Sequence, residues 1–370
     1  MSSELNIYQQ VFGLSMASNK LFNTQNETLA TMQSTMELIL PNIITALGSW
    51  TVAPPPLTEG PDNVWYVAFN AKFNTYVVAI AGTASHSIYD KVHEDGAVAY
   101  VVDLLQWLCT ALTGAFTAHT MLDTADDKKN TYISKGTVEG ITALLNNKSP
   151  EAAQAPCTFL GDFLATIPAT STLVFTGHSL GGALAPALAL AWWKSTLPKQ
   201  IPLANVKTYS TAGPTAGNAN FVTLYEQTFP PSSANPTGYQ NWNVNLVNTL
   251  DIVPQAWCDA EDESSQSLNR IPSFYNSTWW CKKKLGAAIS LLKIFPNASG
   301  VVYRPIKPSF FTPTSQWPFF EPDSILPPST DPNGPCWLGD ALYEHVLEYP
   351  LFVIPPLQIL QFDEQAGGSS

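Results

Sequence analysis

The stretch "LVFTGHSLGGALAPALALAWW" (Leu173–Trp193) joins a short apolar run, a serine set between glycines and a long apolar run. A short apolar run closed by glycine reads as a buried strand, and the longer Ala- and Leu-rich run reads as a helix. A serine at that junction sits on a tight strand-to-helix turn with its hydroxyl exposed. The helix behind it directs its amide-rich, positive end at any negative charge growing beside the serine. A serine that merely capped the helix would need neither Gly177 nor Gly181. Gly177-His178-Ser179-Leu180-Gly181 therefore marks Ser179 as a candidate nucleophile. The bare G-x-S-x-G pattern is weak, and the strand before it and helix after it carry the reading.

Working outward, "VWYVAF" (Val64–Phe69) and "TYVVAIAG" (Thr75–Gly82) read as neighbouring strands around the turn "NAKFN". "SKGTVEGITALLNN" is an amphipathic helix, "VKTYSTAG" a strand, Phe221–Phe229 a helix and "NVNLVNTLD" a strand. Alternating strands and helices predict an α/β protein with a mostly parallel sheet and helices on both faces. Helical spacing also runs from Leu5 to Leu47, and Ala97–Leu122, with Asp103 as its one charge, reads as helical. No internal repeat or linker divides the chain, so residues 1–370 are expected to form one domain. Residues 258–336, rich in Pro, Cys and Trp, read as a long insertion laid over the sheet before "LGDALYEHVLEYPLFVIPP".

Composition narrows the chemistry. Of 370 residues, 45% are hydrophobic and only 12% charged, about half the usual charged share. A net charge of −12 argues against a nucleic-acid partner, which wants a basic face. No run of eighteen apolar residues occurs, so no transmembrane segment is expected. "MSSELNIYQQ" shows no signal peptide, and the compartment stays open, with a leaning to a secreted mature form. Cys109, Cys157, Cys258, Cys281 and Cys336 fit no metal spacing. Cys258 and Cys281 could bridge, but the three cysteines of the insertion allow three pairings.

An activated serine needs a base and an orienting carboxylate, and in this fold they follow in the order Ser, Asp or Glu, His. Of His86, His93, His119, His178 and His345, only His345 lies after Ser179. No aspartate occurs between Leu180 and Asp251, which ends the run "NVNLVNTL" and so falls at the carboxyl edge of the sheet. Asp259, Asp262, Asp323, Asp331 and Asp340 lie in or at the end of the insertion, and Glu226 lies in a helix. Two backbone amides must form the oxyanion hole. Leu180 follows the nucleophile, and Thr83 follows the strand that ends at Gly82.

"GHSLGGALA", "NTLDIVP", "AIAGTAS", "EHVLEY" and "TAGPTAGNANF" resemble signatures of the fungal-type (class 3) lipase family, an α/β-hydrolase branch. The resemblance runs from about Val64 to Tyr349. It implies Ser179, Asp251 and His345 as the catalytic triad, Thr83 and Leu180 as the oxyanion hole, and no metal or organic cofactor. The family usually has arginine where this chain has Ala81 and Thr215, and often a tryptophan where "SHSIYDKVHED" has none. Residues 84–129 also look longer than the family's short lid, so an enlarged cap is expected there.

The expected activity is serine carboxylic-ester hydrolysis through an acyl-enzyme, on a lipid acylglycerol at a lipid–water interface. "KKKLGAAISLLKIF" (Lys282–Phe295) could rest on such an interface. The same parts serve phospholipases A1, feruloyl-type and other carboxylesterases, and acyltransferases. A lipase-like binding module is the non-catalytic alternative, although such modules lose a triad member and this chain keeps all three.

Overall fold

The computed structural model describes residues 4–20, 40–42, 44–45, 47–52, 65–82, 96–110, 112, 117–120, 127–146, 159–235, 238–258, 266–274, 279–313 and 344–354. Its main sheet has the order β1 (Trp50–Val52), β2 (Trp65–Asn70), β3 (Thr75–Ile80), β7 (Thr172–His178), β8 (Val206–Thr211), β12 (Asn245–Asn248) and β14 (Pro308–Phe311). The first two pairings are antiparallel. From β3 onward every pairing is parallel. A second sheet runs β13 (Tyr303–Arg304), β9 (Gly217–Asn218), β6 (Tyr132–Ser134), β4 (Val101–Asp103) and β5 (Ala118–His119). A small ribbon pairs β10 (Ser232–Ser233) with β11 (Asn241–Trp242).

Strand residues alternate between two cores, as the period of two requires. Trp65, Val67, Val78, Ile80 and Phe175 join the face packed by the helices Lys135–Asn146, Leu160–Thr166, Leu180–Lys194 and Ala219–Thr228. Tyr66, Ala68, Val77, Ala79 and Val174 face the helix Ile7–Lys20 and the segment with Tyr349 and Val353. Strands buried on both faces lose the polar half of the alternation, which is why "LVFT" and "TYVVAI" read as continuous apolar runs. This is the α/β-hydrolase arrangement, a mostly parallel central sheet with helices on both sides.

Two expectations need correction. Ala97–Leu122 is not one helix: its described residues form a 3-10 turn, strand β4, the short helix Leu104–Leu108 and strand β5. Asp103 sets the break, since its carboxylate accepts the amides of Leu105 and Gln106 and starts a new helix there. Nor is the insertion 258–336 simply laid over the sheet, because β14 extends the sheet beside β12. Helical spacing over Leu5–Leu47 resolves into the helix Ile7–Lys20 and helical residues within 40–47, the stretch between lying outside the described residues. The cap expected over 84–129 and the insertion's residues 314–336 also fall partly or wholly outside them.

Candidate active site

Ser179 lies between β7 and the helix Leu180–Lys194 with φ 61° and ψ −126°, a backbone shape that L-residues rarely take. Its amide donates to Thr211 O on the neighbouring strand, and its carbonyl accepts from Ala183 N. Close backbone contact makes this turn possible. A Cβ on Gly177 would stand 2.2 Å from the backbone C and O of Gly181. One on Gly181 would stand 2.3 Å from Ile80 O. The two glycines of the motif therefore let the helix start press onto β7 and β3, which answers why the serine needs both. Gly82, just past β3, completes the packing, since a Cβ there would lie 3.1 Å from Ser179 Cβ.

Asp251 lies three residues past β12 and is fully buried. A tight turn aims it: its amide donates to Asn248 O, and Leu250 N donates to Asn248 Oδ1. The carboxylate is well satisfied. Oδ1 accepts from Val253 N at 2.9 Å, while Oδ2 accepts from Tyr349 Oη at 2.9 Å and faces His345 Nδ1 at 2.8 Å. That contact places the imidazole proton on Nδ1 and leaves Nε2 as the basic nitrogen. His345 is 2% exposed, and its Nε2 is buried with no hydrogen-bond partner among the described residues.

The structure thus brings Asp251 and His345 into direct contact. It sets them beside the serine's turn, because the ring of His178 lies 4.7 Å from that of His345. Leu180 begins the helix after Ser179, and Thr83 falls outside the described residues.

Three neighbours were not singled out from sequence. His178 holds Thr211 Oγ1 through Nδ1 at 3.0 Å, and burial, then the adjacent His345, depresses its pKa well below the ordinary histidine value. It stays neutral and so adds no positive charge beside His345. Tyr349 accepts Asn248 N on the hydroxyl that donates to Asp251. Burial, then the Asp251 charge, raises the tyrosine pKa well above its ordinary value, so it remains a donor. Asn248 also donates to the carbonyl and carboxylate of Glu344, the residue before His345. The position of Tyr349 four residues after His345 was the available signal, since residues at that spacing share a helix face.

Residues 103–260, which include Ser179 and Asp251, match the family model described as lipase (class 3). This match covers the stretch from β4 to just past Asp251 and makes that part of the chain similar to class 3 lipases. Among solved structures it is similar to M37 lipase at 22% identity, with a TM-score of 0.62 and coverage of 98% of each chain. Lipase II from Rhizopus niveus aligns at 16% identity and a TM-score of 0.40, over 70% of this chain and 75% of that one. The Rhizomucor miehei lipase in its propeptide complex aligns at 17% identity and a TM-score of 0.42, over 69% and 62%. No curated protein matches the chain by sequence. Among the described residues, no cluster of His, Cys, Asp and Glu could hold a metal ion, and no helix is long and apolar enough to cross a membrane.

Proposed function

We propose that this chain is a lipase of the class 3 type that cleaves lipid carboxylic esters, acylglycerols first among them, with Ser179, His345 and Asp251 as nucleophile, base and orienting carboxylate. The observation that carries the assignment is the buried Asp251–His345 contact at 2.8 Å, which leaves Nε2 of His345 without a partner. A serine hydroxyl needs such an acceptor for its proton. Ser179 Oγ attacks the ester carbonyl as His345 Nε2 takes the hydroxyl proton. The imidazolium then protonates the leaving alcohol, giving an acyl-enzyme that water hydrolyses by the same route. Asp251 keeps the proton on Nδ1 and stabilises the transient cation. The amides of Leu180 and Thr83 take the oxyanion charge, helped by the start of the helix that follows Ser179.

Leu291 and Ile294, both more than half exposed, stand beside Lys293 and support action at a lipid–water interface. The smaller sheet draws β9 from the segment after β8 and β13 from the segment before β14, which supports reading residues 1–370 as one catalytic unit.

The test is hydrolysis of p-nitrophenyl esters from short to long acyl chains beside Ser179→Ala. The wild type should turn over and prefer longer chains, and the variant should lose on the order of a millionfold in kcat. A wild type that cleaves no ester, or an alanine variant that cleaves as well as the wild type, overturns the assignment.

A further inference from the structure

The helix Ile7–Lys20 is an internal brace rather than a surface cover: Val11, Phe12, Leu14, Ala17 and even Ser15 and Ser18 are fully buried. It packs on β3 and β7, the two strands that lead into the candidate site. Near its start, Gln9 Nε2 donates to Val353 O at 2.9 Å, in the same short helix as Tyr349. In its middle, Leu14 O accepts the Tyr66 hydroxyl. At its last turn, Asn19 Oδ1 accepts the Gly82 amide at 2.6 Å. A backbone N–H can only donate, so the amide orientation of Asn19 is fixed by this bond.

Gly82 lies two residues beyond the end of β3, and Asn19 is its amide's acceptor where the strand ladder has stopped. It is also where that backbone reaches the nucleophile. A Cβ on Gly82 would meet His178 O at 2.7 Å and Ser179 Cβ at 3.1 Å. The side chain of Asn19 therefore holds the backbone just past β3 where it meets the serine's turn.

We infer that Asn19 is a positioning residue for ester hydrolysis, fixing the end of β3 against Ser179 through Gly82 and so setting the backbone that leads to the second oxyanion amide. The inference rests on the triad and oxyanion assignment above. An oxyanion donor works only at about 2.7–3.1 Å from the charge, so a displaced donor weakens transition-state binding more than substrate binding.

The experiment uses the full chain with Asn19→Leu, which removes the acceptor at similar volume, and Asn19→Asp, which keeps one. Each is assayed on p-nitrophenyl butyrate for kcat and KM. Each is also titrated with butaneboronic acid, which adds to a nucleophilic serine as a tetrahedral anion. Asn19→Leu should lower kcat by about 10- to 100-fold, less than the loss of a whole oxyanion donor, with KM within about twofold. Its inhibition constant for the boronic acid should rise by a similar factor, and Asn19→Asp should recover most of both. An unchanged kcat overturns the inference, as does a fall in kcat that leaves the boronic acid constant where it was. Should Asn19→Leu fail to fold, Asn19→Ser, whose hydroxyl is too short to reach Gly82, is judged by the same criteria. Wild-type inactivity on every ester would instead overturn the hydrolase assignment itself.

Discussion

The serine and the histidine of the candidate site are held in different ways. Ser179 is fixed by backbone: Gly177 against Gly181, Gly181 against Ile80, and its own amide on Thr211 O. His345 is fixed by side chains. Asp251 grips its ring, Asn248 grips the preceding Glu344, and Tyr349 links the carboxylate to the helix that follows. Backbone packing gives a rigid, strained serine that fails all at once when a methyl group intrudes. A side-chain network gives a histidine whose support can be removed one bond at a time. The two sides should therefore respond differently to substitution.

Among the supports of the two residues, the largest expected effect comes from the carboxylate that the histidine side is built around. Asp251→Asn keeps shape and burial but removes the charge, and its amide group would present a donor to Nδ1 and favour the wrong imidazole tautomer. A loss of about 10⁴ in kcat follows, with KM little changed. Steady-state kinetics on a p-nitrophenyl ester decides it. Retention of more than a tenth of the activity would mean that another group orients His345 and that the contrast between the two sides is misdrawn.

The serine side should break through stability as well as rate. Gly177→Ala places a methyl group at 2.2 Å from Gly181 backbone, where no flexible side chain can yield. Overpacking of this kind costs about 3 kcal/mol or more. Urea denaturation should show the midpoint falling with little change in slope, and activity should collapse in whatever fraction still folds. A variant with wild-type midpoint and activity would show that the turn tolerates a shifted helix start, and that backbone packing is not what holds Ser179.

How much of this was legible in the sequence follows the same division. Ser179 was readable because its glycines, strand and helix are contiguous, so one line of sequence carries the whole constraint. Asp251 and His345 were readable by scarcity, as the first aspartate and the only histidine after the serine. Asn19, His178 and Tyr349 were not, because their partners lie 63, 33 and 98 positions away, and only the spacing of Tyr349 from His345 left a local mark. The fold shows the same limit. Strands β3, β7 and β8, which span six or seven residues, were legible, while β4 and β5 span three and two and are too short to show a period. Strand β14 was hidden behind its leading proline, a residue that a strand tolerates at an edge and at its first position.

The smallest expected effect is also the sharpest probe of the histidine side. Tyr349→Phe removes one hydroxyl and leaves the ring that packs edge-on against His178 and Phe311. Asp251 Oδ2 then keeps only His345, and the buried Asn248 amide loses its acceptor. A hydrogen bond to a charged group contributes about 1.5–3 kcal/mol, and an orphaned buried donor costs a similar amount. If that support is felt mainly in the folded state, the variant loses stability and keeps its kcat. If the hydroxyl also holds the carboxylate on line with Nδ1, kcat falls as well. The network argues for both, because the hydroxyl and the imidazole meet the same carboxylate oxygen, so freeing one contact lets the carboxylate rotate about the other. The expectation is a fall of about tenfold in kcat at constant KM, equivalent to about 1.4 kcal/mol, together with a lower melting temperature. A variant that melts early yet turns over at the wild-type rate would confine Tyr349 to the scaffold and leave Asp251 alone in charge of the histidine.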